Sequence, residues 1–432
     1  MFKGYNKKKA YLLIGLLLYI LTCGIYFFTS NSSKNYSIDG VSEYRGGELP
    51  DVYRLKSDDF TLEMRNIINA IDNFYALKER KNVEIDKLEE EYLTKAGELE
   101  SVDQFFELGL ELFANLNNPH ARFIVPTFGQ SMKAELIEGK VVVTTIENKG
   151  LKKEIGMEQG AIIKAIDGIA IDEWLKERFK YISSANQHWK WYGAVEEIFL
   201  RYIFEDEIRR FKYRNPDGSI NKVDISLGLP MYKVRNKLTP KPVIAKSFND
   251  KGYIAVNTLT DGIVEEFDSN LENLLNKDSL ILDLRQCGGG SSLNADEIFR
   301  RFIQKERRVW AGSSDYERTL KPYEELNYDG DMVILVGPYT FSAAEGLVFD
   351  LYDAKRGLFI GEATRGCSGG GPRTFVSEGG FLFGFPTRGV DISASEMEME
   401  GEGFCHQIKL KQSLEDYYNG IDTILEEALV KL

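Results

Sequence analysis

The sequence predicts an α/β core, preceded by a β-rich module, a helical segment and one membrane-spanning helix. Three observations carry this. The apolar runs Leu280–Leu284 and Met332–Val336 are each followed by a helical pattern, as buried strands of an α/β sheet are. Between about residues 133 and 230, short β-prone runs alternate with glycines, which suggests a small β-rich module. Ala10 to Thr29 are twenty residues without a charge, long enough to cross a bilayer as a helix.

The segments follow in order. Lys3, Lys7, Lys8 and Lys9 precede the apolar run, so residues 1–30 read as a cytoplasmic tip and an anchor. This predicts a single-pass protein of the cell membrane with the remaining chain extracytoplasmic. A cleaved signal peptide and a lipid-modified Cys23 are the competing readings. Residues 31–54 form a linker rich in Ser, Asn and Gly. Residues 55–126 form a helical segment. There Ser101 caps a helix whose apolar residues Phe105, Leu108, Leu112 and Phe113 recur at helical spacing. Pro119 ends it, which leaves His120 in a loop before an extended run.

The module at 133–230 contains Val141-Val142-Val143, then Gly150, Gly156, Gly160 and an Ile-Asp167-Gly168 turn. Asn215-Pro-Asp-Gly218 makes a further turn between two strand-like runs. A helical stretch from about Trp174 to Phe204 interrupts it. Residues 245–432 form the core: strand Tyr253–Val256, helix Phe267–Leu275, strand Leu280–Leu284, helix Asn294–Phe302, strand Met332–Val336 and helix Ala343–Tyr352.

Composition excludes several classes. The 54 basic and 67 acidic residues leave a net charge of −13, with no general attraction to nucleic acid. Three His and four Cys make a zinc cage or a disulfide scaffold a poor fit. No metal and no organic cofactor is expected. Any imidazole chemistry must come from His120, His188 or His406.

Two strand-to-helix junctions could carry chemistry. Cys287-Gly288-Gly289-Gly290 follows a buried strand, and glycines let backbone N–H groups approach a reacting oxygen. In Thr340-Phe341-Ser342-Ala343-Ala344-Glu345 the serine stands at a helix start, where free N–H groups and the helix dipole favour developing negative charge. The plainer reading is that Ser342 caps the helix and the glycines turn the chain.

Taken together, SLILDLRQCGGGSSLNADEIF, VILVGPYTFSAAEGL and LFIGEATRGCSGG resemble the C-terminal processing (tail-specific) serine peptidases and the tricorn core. The stretch VVVTTIENKGLKKEIGMEQGAIIKAIDGIAI resembles a PDZ domain. The resemblance implies a Clp protease/crotonase-like catalytic core, with the PDZ-like module and the helical segment before it. It implies a serine endopeptidase acting through an acyl-enzyme on Ser342. Gly289 and Ala343 would supply the oxyanion hole, and the module would read polypeptide substrates, through a C-terminus if strand addition operates. The Ser–Lys branch takes its base from a Gly-Glu-x-Thr-x-Gly-Lys motif, and this chain has Cys367 at the Lys position. The tricorn-like Ser-His-Glu branch is then implied, with His120 as base and Glu400 as orienting residue.

Alternatives accompany these assignments. His120 could be a structural loop residue, and Glu396, Glu398 and Glu402 compete with Glu400. His188 and His406 read as structural. Cys287 stands where the family carries Asn. A Cys287–Cys367 disulfide and two buried thiols are both open. Retired peptidase-fold proteins that bind peptides or apolar ligands, and crotonase-like acyl-CoA enzymes, are the competing function classes. The anchor and the PDZ-like insert argue against the second.

Overall fold

The computed structural model describes residues 36–46, 52, 55, 57–310, 318–367, 369–404 and 407–432. The apolar segment 10–29, half of the linker, Cys23, Cys405 and His406 lie outside them. No helix among the described residues is long and apolar enough to cross a membrane. Those residues form two compact units. One takes the chain up to residue 184, 190–239 and 372–385; the other takes 185–189, 240–371 and 386–432.

In the first unit, helices Ser57–Phe74, Ile85–Gly97 and Val102–Ala114 follow the helical pattern. Ser101 and Gln104 cap the third reciprocally: Gln104 N–H donates to Ser101 Oγ (3.2 Å), and Ser101 N–H donates to Gln104 Oε1 (3.1 Å). A five-stranded sheet joins Ser37–Ile38, Val41–Glu43, Arg373–Ser377, Leu382–Phe385 and Arg122–Phe123. The hairpin 373–385 therefore belongs here rather than with the core that precedes it in sequence. Phe375, Phe381, Phe383 and Phe385 pack with Phe105, Phe113 and Phe123, all buried.

The module in the same unit is a sheet ordered Ile220–Ser226, Ile208–Arg214, Ile162–Ile166, Lys140–Ile146, Met132–Ile137. Asp167 and Gly168 both have positive φ (53° and 89°), as a two-residue hairpin turn requires. Met132, Ala134, Val141, Val143, Ile163, Phe211 and Tyr213 fill its core with Trp174. A small three-stranded sheet, Leu229–Pro230, Thr127–Gly129 and Leu200–Tyr202, borders it.

The second unit is a six-stranded sheet, Val243–Phe248, Lys251–Val256, Ser279–Asp283, Asp331–Val336, Leu358–Gly361, Ile408–Lys409. Only the first pair is antiparallel. Alternate residues serve opposite faces. Leu280, Leu282, Met332, Ile334 and Val336 pack with helices Ile263–Leu271, Ser292–Arg300 and Ala343–Asp353. Ile281, Val333 and Leu335 pack with Ile424 and Ala428 of the last helix, Thr423–Lys431. Covered on both faces, these strands can be apolar throughout, which is why the sequence runs are unbroken. Arg285, just past its strand, bridges Asp283 (2.6 Å) and Asp422 (2.7 Å), fastening the root of the glycine turn to that last helix.

Candidate active site

Ser342 sits between strand Asp331–Val336 and helix Ala343–Asp353, with φ 59° and ψ −124°. A non-glycine residue there costs about 1–3 kcal/mol and persists only when its surroundings over-determine it. They do so here. Phe341 N–H donates to Cys287 O (3.0 Å), and Thr340 Oγ donates to Leu284 O (2.8 Å). On the other side, Ser342 N–H donates to Glu345 Oε2 (3.0 Å). Both flanks are pinned, so the turn is sharp and the serine stands at its apex, half-buried.

Gly289 has φ 83°, and a Cβ on it would lie 2.5 Å from Phe341 O, 3.0 Å from Ser342 Cβ and 3.3 Å from Ala343 N. Only glycine brings the backbone this close. Ser342, Ala343 and Gly289 are thereby gathered into one place. Among the described residues, no backbone carbonyl takes the N–H of Ala343. That arrangement can stabilise an oxyanion formed on a group attacked by Ser342. Burial pushes the Cys287 thiol up to about 12, and the Gly289 N–H directed at its sulfur offsets this only in part. It is a neutral filler under the turn.

Glu345, three residues after the serine in the same motif, organises the site. It is fully buried. Its carboxyl accepts from Ser342 N–H, from Thr364 Oγ (2.7 Å), from Gly366 N–H (2.6 Å) and from Cys367 N–H (3.2 Å). Burial pushes its pKa up to about 7 despite these donors. The Ser-x-x-Glu spacing of a capping box was the available signal.

Glu345 thus ties the serine to the loop 364–367, and that loop is stitched to residues 400–404. Thr364 N–H donates to Phe404 O (3.0 Å), Phe404 N–H to Thr364 Oγ (2.8 Å) and Gly401 N–H to Gly366 O (3.2 Å). Asn186 Nδ2 donates to both Arg365 O (3.1 Å) and Gly401 O (2.8 Å). The Arg365 guanidinium lies over the rings of Trp189 (3.5 Å to the centroid) and Phe341 (4.3 Å). Glu396, Glu398 and Glu402 are exposed, whereas Glu400 is half-buried. Its charge is one of the influences raising the Cys367 thiol.

Cys367 is 1% exposed, and burial holds its thiol well above the ordinary range. It stays protonated at neutral pH and cannot replace a lysine base. Cys287 and Cys367 are separate free thiols, so the disulfide alternative is not realised. His188 is half-buried, and burial lowers its pKa.

His120 belongs to the first unit. It is 6% exposed and held in a turn by the fully buried Asn118, whose Oδ1 accepts from His120 N–H (2.9 Å) and whose carbonyl accepts from Ala121 N–H (2.8 Å) and Ser183 Oγ (2.7 Å). No group of residues with metal-ligand character occurs among the described residues.

Residues 250–404 match Peptidase family S41. The chloroplastic C-terminal processing peptidase of Tetradesmus obliquus is 25% identical over 317 residues, covering 69% of this chain and 66% of that protein. The carboxyl-terminal-processing protease of Picosynechococcus is 24% identical over 288 residues, covering 62% and 64%. The chain thus spans just under two thirds of the length of these curated relatives. Among solved structures, mature CPAF superposes with a TM-score of 0.72 at 13% identity, covering 87% of this chain and 98% of that one. The photosystem II D1 C-terminal processing protease gives 0.50 at 20% identity, covering 81% and 93%. At these identities the likeness establishes the fold.

Proposed function

As a member of peptidase family S41, the chain is, we propose, a serine endopeptidase that cleaves polypeptides through an acyl-enzyme on Ser342. The observation that carries this reading is the strained, doubly pinned Ser342 beside the Gly289 backbone. In the proposed reaction His120 takes the Ser342 proton as Oγ attacks the carbonyl carbon. The Ala343 N–H and the Gly289 N–H, exchanging its weak contact with the Cys287 sulfur for the stronger acceptor, hold the oxyanion. Collapse breaks the C–N bond, and the leaving amine takes the proton from His120. Water then attacks the ester by the same route in reverse. Glu400 orients the imidazole and stabilises its charged form.

The Ser-His-Glu assignment is supported by Cys367, a buried and protonated thiol where the other branch needs a basic lysine. It is supported also by the burial of His120 in a turn fixed by Asn118. Residues 10–29 complete the proposal as a single-pass anchor with the catalytic part extracytoplasmic. Loss of membrane association when they are deleted checks that part. The activity itself is tested with an internally quenched peptide. Wild-type chain should hydrolyse it and Ser342→Ala should not; equal rates would exclude Ser342 as nucleophile.

A further inference from the structure

The module's sheet has two edges, Met132–Ile137 and Ile220–Ser226. A chain laid antiparallel along Met132–Ile137 would end beside the turn before that strand, where backbone N–H groups would have to receive its carboxylate. Those groups are already engaged. Gln130 N–H donates to Phe199 O (2.9 Å), and Met132 N–H to Gln130 O (2.7 Å). Ser131 N–H donates to the Gln130 side chain (2.9 Å). Thr127–Gly129 has Leu200–Tyr202 paired on one side and Leu229–Pro230 on the other. A Cβ on Gly129 would meet Phe199 O at 2.6 Å, so the turn is closed by the module's own backbone.

A small cleft of about 130 Å³ lies beside this closed turn, and its walls include Thr127, Leu200, Met231, Arg178, Arg201 and Arg235. Glu197 is the one carboxylate in those walls, against three arginines. It is already committed: Arg178 pairs with it (2.8 Å) and with Glu205, and the Tyr202 hydroxyl donates to it. Arg209 adds a contact to Glu205 (3.7 Å). Two arginines and two glutamates thus balance. Arg201 stands outside that balance. Its guanidinium donates to three neutral carbonyls, Leu227 (3.3 Å), Tyr202 (3.3 Å) and Glu205 (3.1 Å), and stacks on Phe128. No ion pair to Arg201 occurs among the described residues, although Glu205, Asp206 and Glu207 lie near enough to act on it through space. A partly desolvated cation on a cleft wall, with a second arginine and apolar flanks, suits an anionic group carried on an extended chain.

We propose that this cleft binds a carboxylate of the polypeptide substrate on Arg201 and Arg235, in place of backbone capture at the closed turn. That the ligand is substrate rests on the peptidase reading; the site itself does not. The test uses the full chain carrying Ser342→Ala and three peptides of one neutral sequence: free acid, C-terminal amide, and amide with one internal Glu. Titration calorimetry should show one or both carboxylate peptides binding at least about tenfold tighter than the neutral amide, the range of a charge-assisted contact. Preference for the free acid identifies a chain end, and preference for the internal Glu identifies a side chain. Arg201→Gln and Arg235→Gln should each abolish the preference, and Arg201→Lys should retain part of it. Arg235→Gln decides the matter if Arg201→Gln fails to fold. Equal binding of all three peptides, or a preference untouched by Arg235→Gln, would overturn the proposal. Selective binding without hydrolysis by wild-type chain would leave the site standing and remove the peptidase reading instead.

Discussion

The turn at Gly288–Gly290 and the turn at Gly129–Ser131 each carry the chain past the end of a strand, and they use their backbone donors in opposite ways. In the core, Gly289 brings its main chain against Ser342, its N–H meets only the weak acceptor Cys287 Sγ, and no backbone carbonyl takes the Ala343 N–H. In the module, the N–H groups of Gln130, Ser131 and Met132 are all consumed within the unit. Glycine content therefore does not mark a binding turn. What matters is whether neighbouring strands leave the donors unspent, which depends on pairing partners distant in sequence.

The contrast can be broken experimentally, beginning where the effect is largest. His120→Ala should lower kcat by at least about 10³-fold, the scale seen when a serine hydrolase loses its base. Steady-state hydrolysis of the quenched peptide measures this, and a loss under tenfold would point to a different base. Gly289→Val places a side chain against Phe341 O and Ser342. It should cost about 10²-fold in kcat with little change in KM, because an oxyanion donor acts in the transition state. A change confined to KM would mean that the turn only binds substrate.

The third effect is electrostatic. Burial raises the Glu345 carboxyl to about 7, above its unfolded value. The folded state then holds the proton more tightly than the unfolded chain. Its contribution is complete below about pH 4.3 and declines by ~1.4 kcal/mol per pH unit until about pH 7. Glu345→Gln should flatten the stability curve by that slope over that window, read by denaturant unfolding. An unchanged slope would show that Glu345 is ionised throughout.

The smallest effect is expected in the module. Gln130→Ala removes the acceptor of Ser131 N–H and should cost about 1 kcal/mol of stability. It should leave hydrolysis of a short amidated peptide unchanged. A gain in affinity for free-acid peptides would show that this turn can reopen.

The core was the most legible part of the sequence. Leu280–Leu284 and Met332–Val336 announce themselves because strands buried on both faces need apolar residues at every position. Ser342 and Gly289 were legible because the close approach admits few residue types. The hairpin 373–385 was not: its alternating Phe residues suit any half-buried sheet, and nothing in them specifies the N-terminal strands as partners. Glu345 was visible as a cap but not as the acceptor of loop 364–367, because its other donors are main-chain groups without a sequence signature. The closure at Gln130 escaped for the same reason. It depends on Leu200–Tyr202, a strand too short to show a period.

Whether Ser342 is an activated nucleophile is tested directly by a fluorophosphonate. Intact-mass analysis of the treated full chain should show a single adduct, mapped by fragmentation to Ser342 and absent from Ser342→Ala. Adduct formation at another residue, or none while the protein hydrolyses peptide, would contradict the account.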